Sequence, residues 1–232
     1  MKRKGIIIAV LLMILLTGCG KNSKNENDAL KFKKEYEAVN ETISESGKQI
    51  RSLEIPKDNP FVYKTAEEIV EKIENKESFI VYFGFATCPW CRSVLEELIR
   101  VAKDQKVETI YYVDVLDIRD VMEVGEDGNI TTKKQGSSGY QKLITLLTDV
   151  LEDYTLTKDE EEIPTGEKRI YAPNVVAISK GEAKQLETGI SEELTDPYGE
   201  LTDSIKEYAY NKFKCLMECL EEESNTCQKN MC

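Results

Sequence analysis

Phe79 to Cys91 reads FIVYFGFATCPWC, and this stretch decides the architecture. Its first eight residues, Phe79 to Ala86, are a nearly continuous apolar and aromatic run. That is the pattern of a strand covered on both faces, not of one exposed on alternate residues. The run leads into a Cys-x-x-Cys whose second residue is Pro89. Proline suits the first turn of a helix, where the N–H it lacks would have no partner. The following CRSVLEELIRVAKD brings Val94, Leu95, Leu98, Ile99 and Ala102 to one face at helical spacing. A second buried strand is expected in ETIYYVDVLD. Strand, helix and strand in this order make a βαβ unit with a parallel pair.

Working outward, Thr65 and Glu68 form a capping box opening TAEEIVEKIENK, whose Ile69, Val70 and Ile73 share a face. Ile50 to Ile55 alternates and predicts a strand, closed by Pro56 and Asn59-Pro60. Residues 28–45 predict a peripheral helix around Leu30, Phe32, Tyr36 and Val39. Downstream, Asp127-Gly128 and a Gly/Ser cluster mark a hairpin or loop within 120–139. Residues 140–152 predict an amphipathic helix. Residues 154–183 predict β structure, with a turn at Thr165-Gly166, a strand from Val175 to Ser179 and a turn at Lys180-Gly181.

The chain has 232 residues, 41% hydrophobic and 32% charged, which is room for one core of ~100–200 residues plus extensions. Its net charge of −12 repels phosphate backbones and argues against a nucleic-acid partner. The absence of histidine removes the commonest general base and the usual metal ligand. Chemistry then falls to carboxylates, lysines, hydroxyls and the seven cysteines.

Lys2, Arg3 and Lys4 precede an apolar run from Ile6 to Leu16, the layout of a secretory signal peptide. The run is shorter than the ~18 residues of a membrane-spanning helix. Leu16, Thr17, Gly18 and Cys19 resemble the lipobox of bacterial lipoproteins. That resemblance implies removal of residues 1–18 and a diacylglyceryl group on Cys19. The alternative is an ordinary signal peptide with a chance cysteine. Residues 19–49 are then a lipidated tether, polar in KNSKNEND, followed by the peripheral helix. With Cys19 carrying lipid, six cysteines remain, an even number suited to an oxidising compartment.

A Cys-x-x-Cys alone is compatible with a redox disulfide, a structural pair or half of a zinc site. Here Cys88 falls where a helix begins, and unpaired N–H groups and the positive end of the helix dipole favour a thiolate. Cys91, one turn on, is placed to attack any disulfide that Cys88 makes. With no histidine as co-ligand, metal is the weakest of the three readings and no metal site is assigned.

FIVYFGFATCPWCRSVLEEL resembles the strand, active site and first helix of the thioredoxin superfamily, and YAPNVVAISKGE resembles its second landmark, a cis-proline facing the dithiol. The resemblance spans residues 50–210. It implies an α/β fold with a central mixed sheet flanked by helices and an insertion at about 120–168 before the cis-proline strand. That insertion either covers the site and selects substrates or is decoration. The resemblance further implies that Cys88 is the attacking thiol, Cys91 the resolving thiol and Pro173 the cis-proline. Ala172 would present its backbone to a substrate chain. Pro89 and Trp90 occupy the positions between the cysteines. Trp90 is read as a rim contact for partner proteins, the alternative being a packing aromatic. The family's buried carboxylate aligns with Tyr82, which departs from the pattern. Arg92 is read as a solvated helix residue, the alternative being support for a thiolate at Cys88.

Residues 211–232 form a separate cysteine-rich extension, with Cys215 and Cys219 at i and i+4 on one helical face. Cys227 and Cys232 follow. The expected role is a structural staple of a helical hairpin, with nested pairs 219–227 and 215–232 as one of three possible connectivities. In general layout the chain resembles thioredoxin-like lipoproteins of Gram-positive bacteria, including those called bacteriocin transport accessory proteins. This implies a membrane-anchored, extracytoplasmic thiol–disulfide oxidoreductase acting on protein disulfides. It would need no cofactor beyond its redox-active disulfide, and would have a separate recycling partner. The rival reading is a surface binding module whose Cys-x-x-Cys is a structural disulfide.

Overall fold

The computed structural model describes residues 23–220. The expected signal peptide, the lipidation at Cys19, and Cys227 and Cys232 with their pairing lie outside the described residues. The protein is an α/β structure with a five-stranded mixed sheet flanked by helices. The sheet contains β1 (Phe61–Tyr63), β2 (Phe79–Gly84), β3 (Ile110–Asp114), β8 (Asn174–Ser179) and β9 (Glu182–Glu187), in the order β1-β3-β2-β8-β9. β1 and β2 both run parallel to β3, while β8 is antiparallel to β2 and β9. Every residue of β2 is buried, as its unbroken apolar run predicts. Ile80 and Tyr82 enter one core and Phe79, Val81 and Phe83 the other.

The first core is covered by α1 (Ser23–Glu37), α3 (Pro89–Asp104) and α5 (Asp203–Glu218) through Phe32, Leu95, Leu98 and Phe213. The second is covered by α2 (Ala66–Glu74) and α4 (Ser138–Leu146) through Ile69, Ile73, Tyr140 and Leu143. α2 begins at the expected capping box: the Thr65 hydroxyl accepts from the Glu68 amide, and the Glu68 carboxylate accepts from the Thr65 amide. The Lys180-Gly181 turn joins β8 to β9, with φ of 52° and 78°. Both values lie in the left-handed region that short hairpin loops require. Among the described residues, no helix is long and apolar enough to cross a membrane.

Two hairpins stand outside the main sheet. β4 (Val121–Val124) and β5 (Ile130–Lys134) flank Asp127-Gly128 as expected. β6 (Glu152–Lys158) and β7 (Glu161–Arg169) form the other. Its turn is at Asp159-Glu160, with φ of 52° and 67°, and not at Thr165-Gly166. Those two residues sit where the β6–β7 register shifts, and Gly166 at φ 81° takes up the extra length as a bulge.

Three further expectations change. α4 ends at Leu146 instead of 152. Ile50 to Ile55 is not a strand, although Ile50, Leu53 and Ile55 are buried. Side chains at the end of α1 and in the turn after it stand in for a partner strand. Asn40 Oδ1 accepts from the Leu53 amide at 3.0 Å, its Nδ2 donates to the Leu53 carbonyl at 2.9 Å, and Glu37 accepts from the Ile55 amide at 2.8 Å. Finally, α1 is not peripheral. Phe32 and Tyr36 are fully buried, and Phe32 stacks on Phe61 with ring centroids 4.1 Å apart.

Candidate functional site

β2 ends at Gly84, the chain turns through Phe85 to Thr87, and Cys88 is the N-cap of α3 with an extended backbone (φ −69°, ψ 115°). Pro89 occupies the first turn. In this geometry the Cys88 sulfur takes the place of a capping oxygen and accepts from the Cys91 amide at 3.3 Å. The same sulfur lies 3.3 Å from the Ala172 carbonyl, toward which its thiol proton points. Residues 84 positions apart thus meet, because β8 pairs antiparallel with β2 and brings the segment before it to the start of α3. The Ala172–Pro173 peptide is cis. Asn174 holds this segment: oriented to satisfy its carboxamide, it donates to the Pro173 and Tyr171 carbonyls at 2.9 and 3.0 Å.

Cys88 and Cys91 are both free thiols. Cys88 is 3% exposed and Cys91 wholly buried. Their ionisation is pushed in opposite directions. Cys88 is lowered, first by a hydrogen bond from Cys91, then by the amides of Cys91 and Trp90 and by the positive charge of Arg119. Cys91 is raised, first by burial and then by the neighbouring Cys88, with the Tyr82 hydroxyl and the Phe85 amide acting the other way. The two thiols are thus pushed apart, Cys88 toward the thiolate and Cys91 toward the protonated form.

The other sequence-derived positions divide. Pro89, Trp90 and Ala172 are partly exposed around Cys88 and Pro173 is buried. Trp90 is partly buried and packs against the first core. Cys215 lies on α5 and Cys219 is its C-cap, both remote in sequence from the dithiol. Tyr82 is fully buried and has its hydroxyl 3.2 Å from that of Tyr36. Among the described residues no group of three acidic or cysteine side chains is arranged to hold a metal ion.

Arg92 corrects its expectation. It is 1% exposed, not a solvated helix residue. Its guanidinium donates to the carbonyls of Arg51 (2.7 Å), Tyr36 (2.9 Å) and Ala86 (2.9 Å) and to Asn40 Oδ1. All four acceptors are neutral, so a buried cation stands one residue beyond Cys91 without a carboxylate against it. Arg119 was missed altogether. It follows β3, lies 5.0 Å from the Phe85 ring centroid, and its positive charge favours ionisation of Cys88. Nothing local to residue 119 signals this role, since it depends on where the chain leaves the sheet. A comparison of the chain with protein-family models and with curated proteins finds no match to either.

Proposed function

We propose that the protein is a thiol–disulfide oxidoreductase acting on protein disulfides, built on a thioredoxin-like domain with the two hairpins as its insertion. The observation that carries this reading is the placement of Cys88: at a helix N-terminus, accepting from the Cys91 amide and facing the Ala172 carbonyl. A Cys88 thiolate attacks one sulfur of a substrate disulfide and forms a mixed disulfide, releasing the other substrate sulfur as a thiolate. Cys91 then attacks Cys88. The mixed disulfide breaks, the Cys88–Cys91 disulfide forms, and the second substrate sulfur leaves. The protein dithiol loses two electrons and the substrate disulfide gains them. A recycling partner reverses the change, and no cofactor other than the dithiol takes part. The edge formed by Tyr171 to Pro173 would receive the substrate backbone, with Pro89 and Trp90 at the rim. The N-terminal sequence supports a lipid anchor on Cys19 and action on the outer face of a bacterial membrane.

Equilibration of the soluble domain with glutathione or dithiothreitol, followed by Trp90 fluorescence, tests this reading. A reversible couple between about −120 and −270 mV that disappears in Cys88→Ser is expected. The second reading is a binding module on the same scaffold, which the 3% exposure of Cys88 favours. A disulfide that stays intact well below about −300 mV would establish it in place of the first.

A further inference from the structure

Ala172 is where the chain returns to the dithiol, its carbonyl 3.3 Å from the Cys88 sulfur. The Tyr171 and Pro173 carbonyls on either side are occupied by the Asn174 carboxamide. Among the described residues the amides of Tyr171 and Ala172 make no hydrogen bond, and both residues are partly exposed. Those donors are open to an incoming backbone. What holds this edge in place comes from the insertion. The Tyr171 hydroxyl sits over β6 where the β6–β7 register shifts, accepting from the Thr155 amide and donating to the Asp153 carbonyl, each at 3.2 Å. Ile170, just before it, donates its amide to the Tyr140 hydroxyl of α4 at 3.4 Å. Arg169, the last residue of β7, is 7% exposed and donates to the Asp120 carboxylate at 3.2 and 3.3 Å and to the Asp120 carbonyl at 3.3 Å. Its guanidinium lies 3.9 Å from the Tyr154 ring centroid and 5.9 Å from that of Tyr171, and the two rings meet edge-on at 6.4 Å. Asp120 immediately precedes β4, and Lys158 donates to the Gly125 carbonyl at 2.6 Å, so both hairpins belong to one mount.

Resting on the oxidoreductase reading, we propose that Arg169 and Tyr171 are positioning residues that fix the Tyr171–Ala172 edge opposite Cys88, so that the two hairpins serve as the mount of the substrate edge and set a preference for polypeptide over small disulfides. A disulfide within a polypeptide must lay its backbone along this edge while one of its sulfurs meets Cys88. A small disulfide needs only the sulfur, and its reaction is indifferent to where the edge stands. The polar contacts of Arg169 and Asp120 include neither cysteine, so they act on substrate only through the backbone that leads from β7 to Ala172. The Arg169–Asp120 pair is enclosed on both sides, where desolvation offsets much of the attraction. Its effect is therefore on geometry: a forked guanidinium, held at the carboxylate and over an aromatic face, has one orientation. Tyr171 carries that orientation to the edge, because its hydroxyl takes up the amide and carbonyl that the register shift leaves without a ladder partner on β6.

The test compares two probes with the same leaving group in a Cys91→Ser parent, where exchange stops at the mixed disulfide. One probe is 5,5′-dithiobis(2-nitrobenzoate). The other is a short unstructured peptide whose single central cysteine carries thionitrobenzoate. In each case the Cys88 thiolate attacks, a Cys88–probe disulfide forms, and thionitrobenzoate leaves as a thiolate that is followed by its absorbance. Adding Arg169→Met is expected to raise the half-saturating peptide concentration at least fivefold, with the limiting rate and the small-probe rate within twofold of the parent. Tyr171→Phe loses only an exposed hydroxyl and folds even if Arg169→Met does not; it is expected to raise the half-saturating peptide concentration at least threefold. Peptide values within twofold of the parent in every folded variant would overturn the positioning role. So would an Arg169→Met variant that loses reactivity equally toward both probes, since the damage would then lie at the sulfur and not at the edge. A parent that releases thionitrobenzoate from neither probe beyond the level of Cys88→Ser would overturn the oxidoreductase reading and the positioning role with it.

Discussion

Arg92 and Tyr36 are joined by a hydrogen bond of 2.9 Å, from the guanidinium Nη1 to the main-chain carbonyl, with both residues buried. Through it the helix that begins at Cys88 is tied to α1, the first helix of the described chain. The same guanidinium reaches Arg51, Ala86 and Asn40, so a single side chain joins four separate segments. Its donors go to neutral oxygens, which fixes geometry without cancelling the charge.

Arg92→Met keeps the length of the stem but leaves several carbonyl groups without a donor. Each buried acceptor so orphaned costs about 1–3 kcal/mol. We expect the substitution to lower unfolding free energy by at least about 3 kcal/mol in urea titrations. A loss below about 1 kcal/mol would show that water replaces the guanidinium and that the joint is not structural.

The opposite shifts of the two thiols predict one fast-alkylating cysteine in the reduced protein. Iodoacetamide modification of Cys88 should titrate with a midpoint below the ~8.5 of an ordinary thiol, while Cys91 stays unmodified at neutral pH. Arg119→Ala should move the Cys88 midpoint upward, because a neighbouring positive charge is lost. In the reduced protein the Cys88 contribution to stability is full above the unfolded thiol value and is lost as pH falls through the lower folded value. Cys91 has the reverse sign: its contribution is full below the unfolded value and is lost as pH rises toward the higher folded one. Mass-spectrometric mapping of the alkylated sites across pH checks the assignment, and equal labelling of both cysteines would contradict it.

Gly84 closes β2 directly beneath the Tyr82 ring. A methyl group there would meet the Tyr82 hydroxyl and stand 2.5 Å from Cζ and 2.9 Å from Cε2. Tyr82 is fully buried within the packed first core. Gly84→Ala should therefore cost about 1–3 kcal/mol, a fall in Tm of roughly 2–4 °C per kcal/mol for a chain of this size. Calorimetry of the reduced protein checks this, and an unchanged Tm would mean that the ring shifts freely.

The capping box at Thr65 separates stability from chemistry. Thr65→Ala removes the acceptor for the Glu68 amide and should cost about 1 kcal/mol. α2 packs on the sheet face opposite α3, so thiol alkylation rates should be unaltered. A change in Cys88 reactivity would show that the two faces are coupled.

Where a structural decision is local, the amino-acid sequence carries it. The apolar run of β2, the helical spacing after Cys91, the Thr65–Glu68 box and the turns at Asp127-Gly128 and Lys180-Gly181 each depend on a few neighbouring residues, and each has the expected form. The Cys-x-x-Cys at a strand–helix junction was legible for the same reason. The Ile50–Ile55 segment shows the limit. Its alternation is that of a strand and its apolar residues are buried, but Asn40 and Glu37 supply the hydrogen bonds that a neighbouring strand would otherwise provide. Alternation records which side chains are buried and says nothing about where the backbone bonds go.

What surrounds the dithiol depended on assembly. Arg92 has the composition of a solvated helix position and is buried because α1 and the loop from Asn40 to Arg51 close over it. Tyr36, Tyr82 and Tyr112 come from α1, β2 and β3; their rings pack, and the Tyr36 and Tyr82 hydroxyls meet, only after those elements assemble. Local pattern selects helix, strand and cap because those states are stabilised by contacts a few residues apart. The ionisation of a buried thiol is set instead by charges and dipoles within a few ångströms in space. Those neighbours are drawn from distant parts of the chain, and no window of sequence contains them.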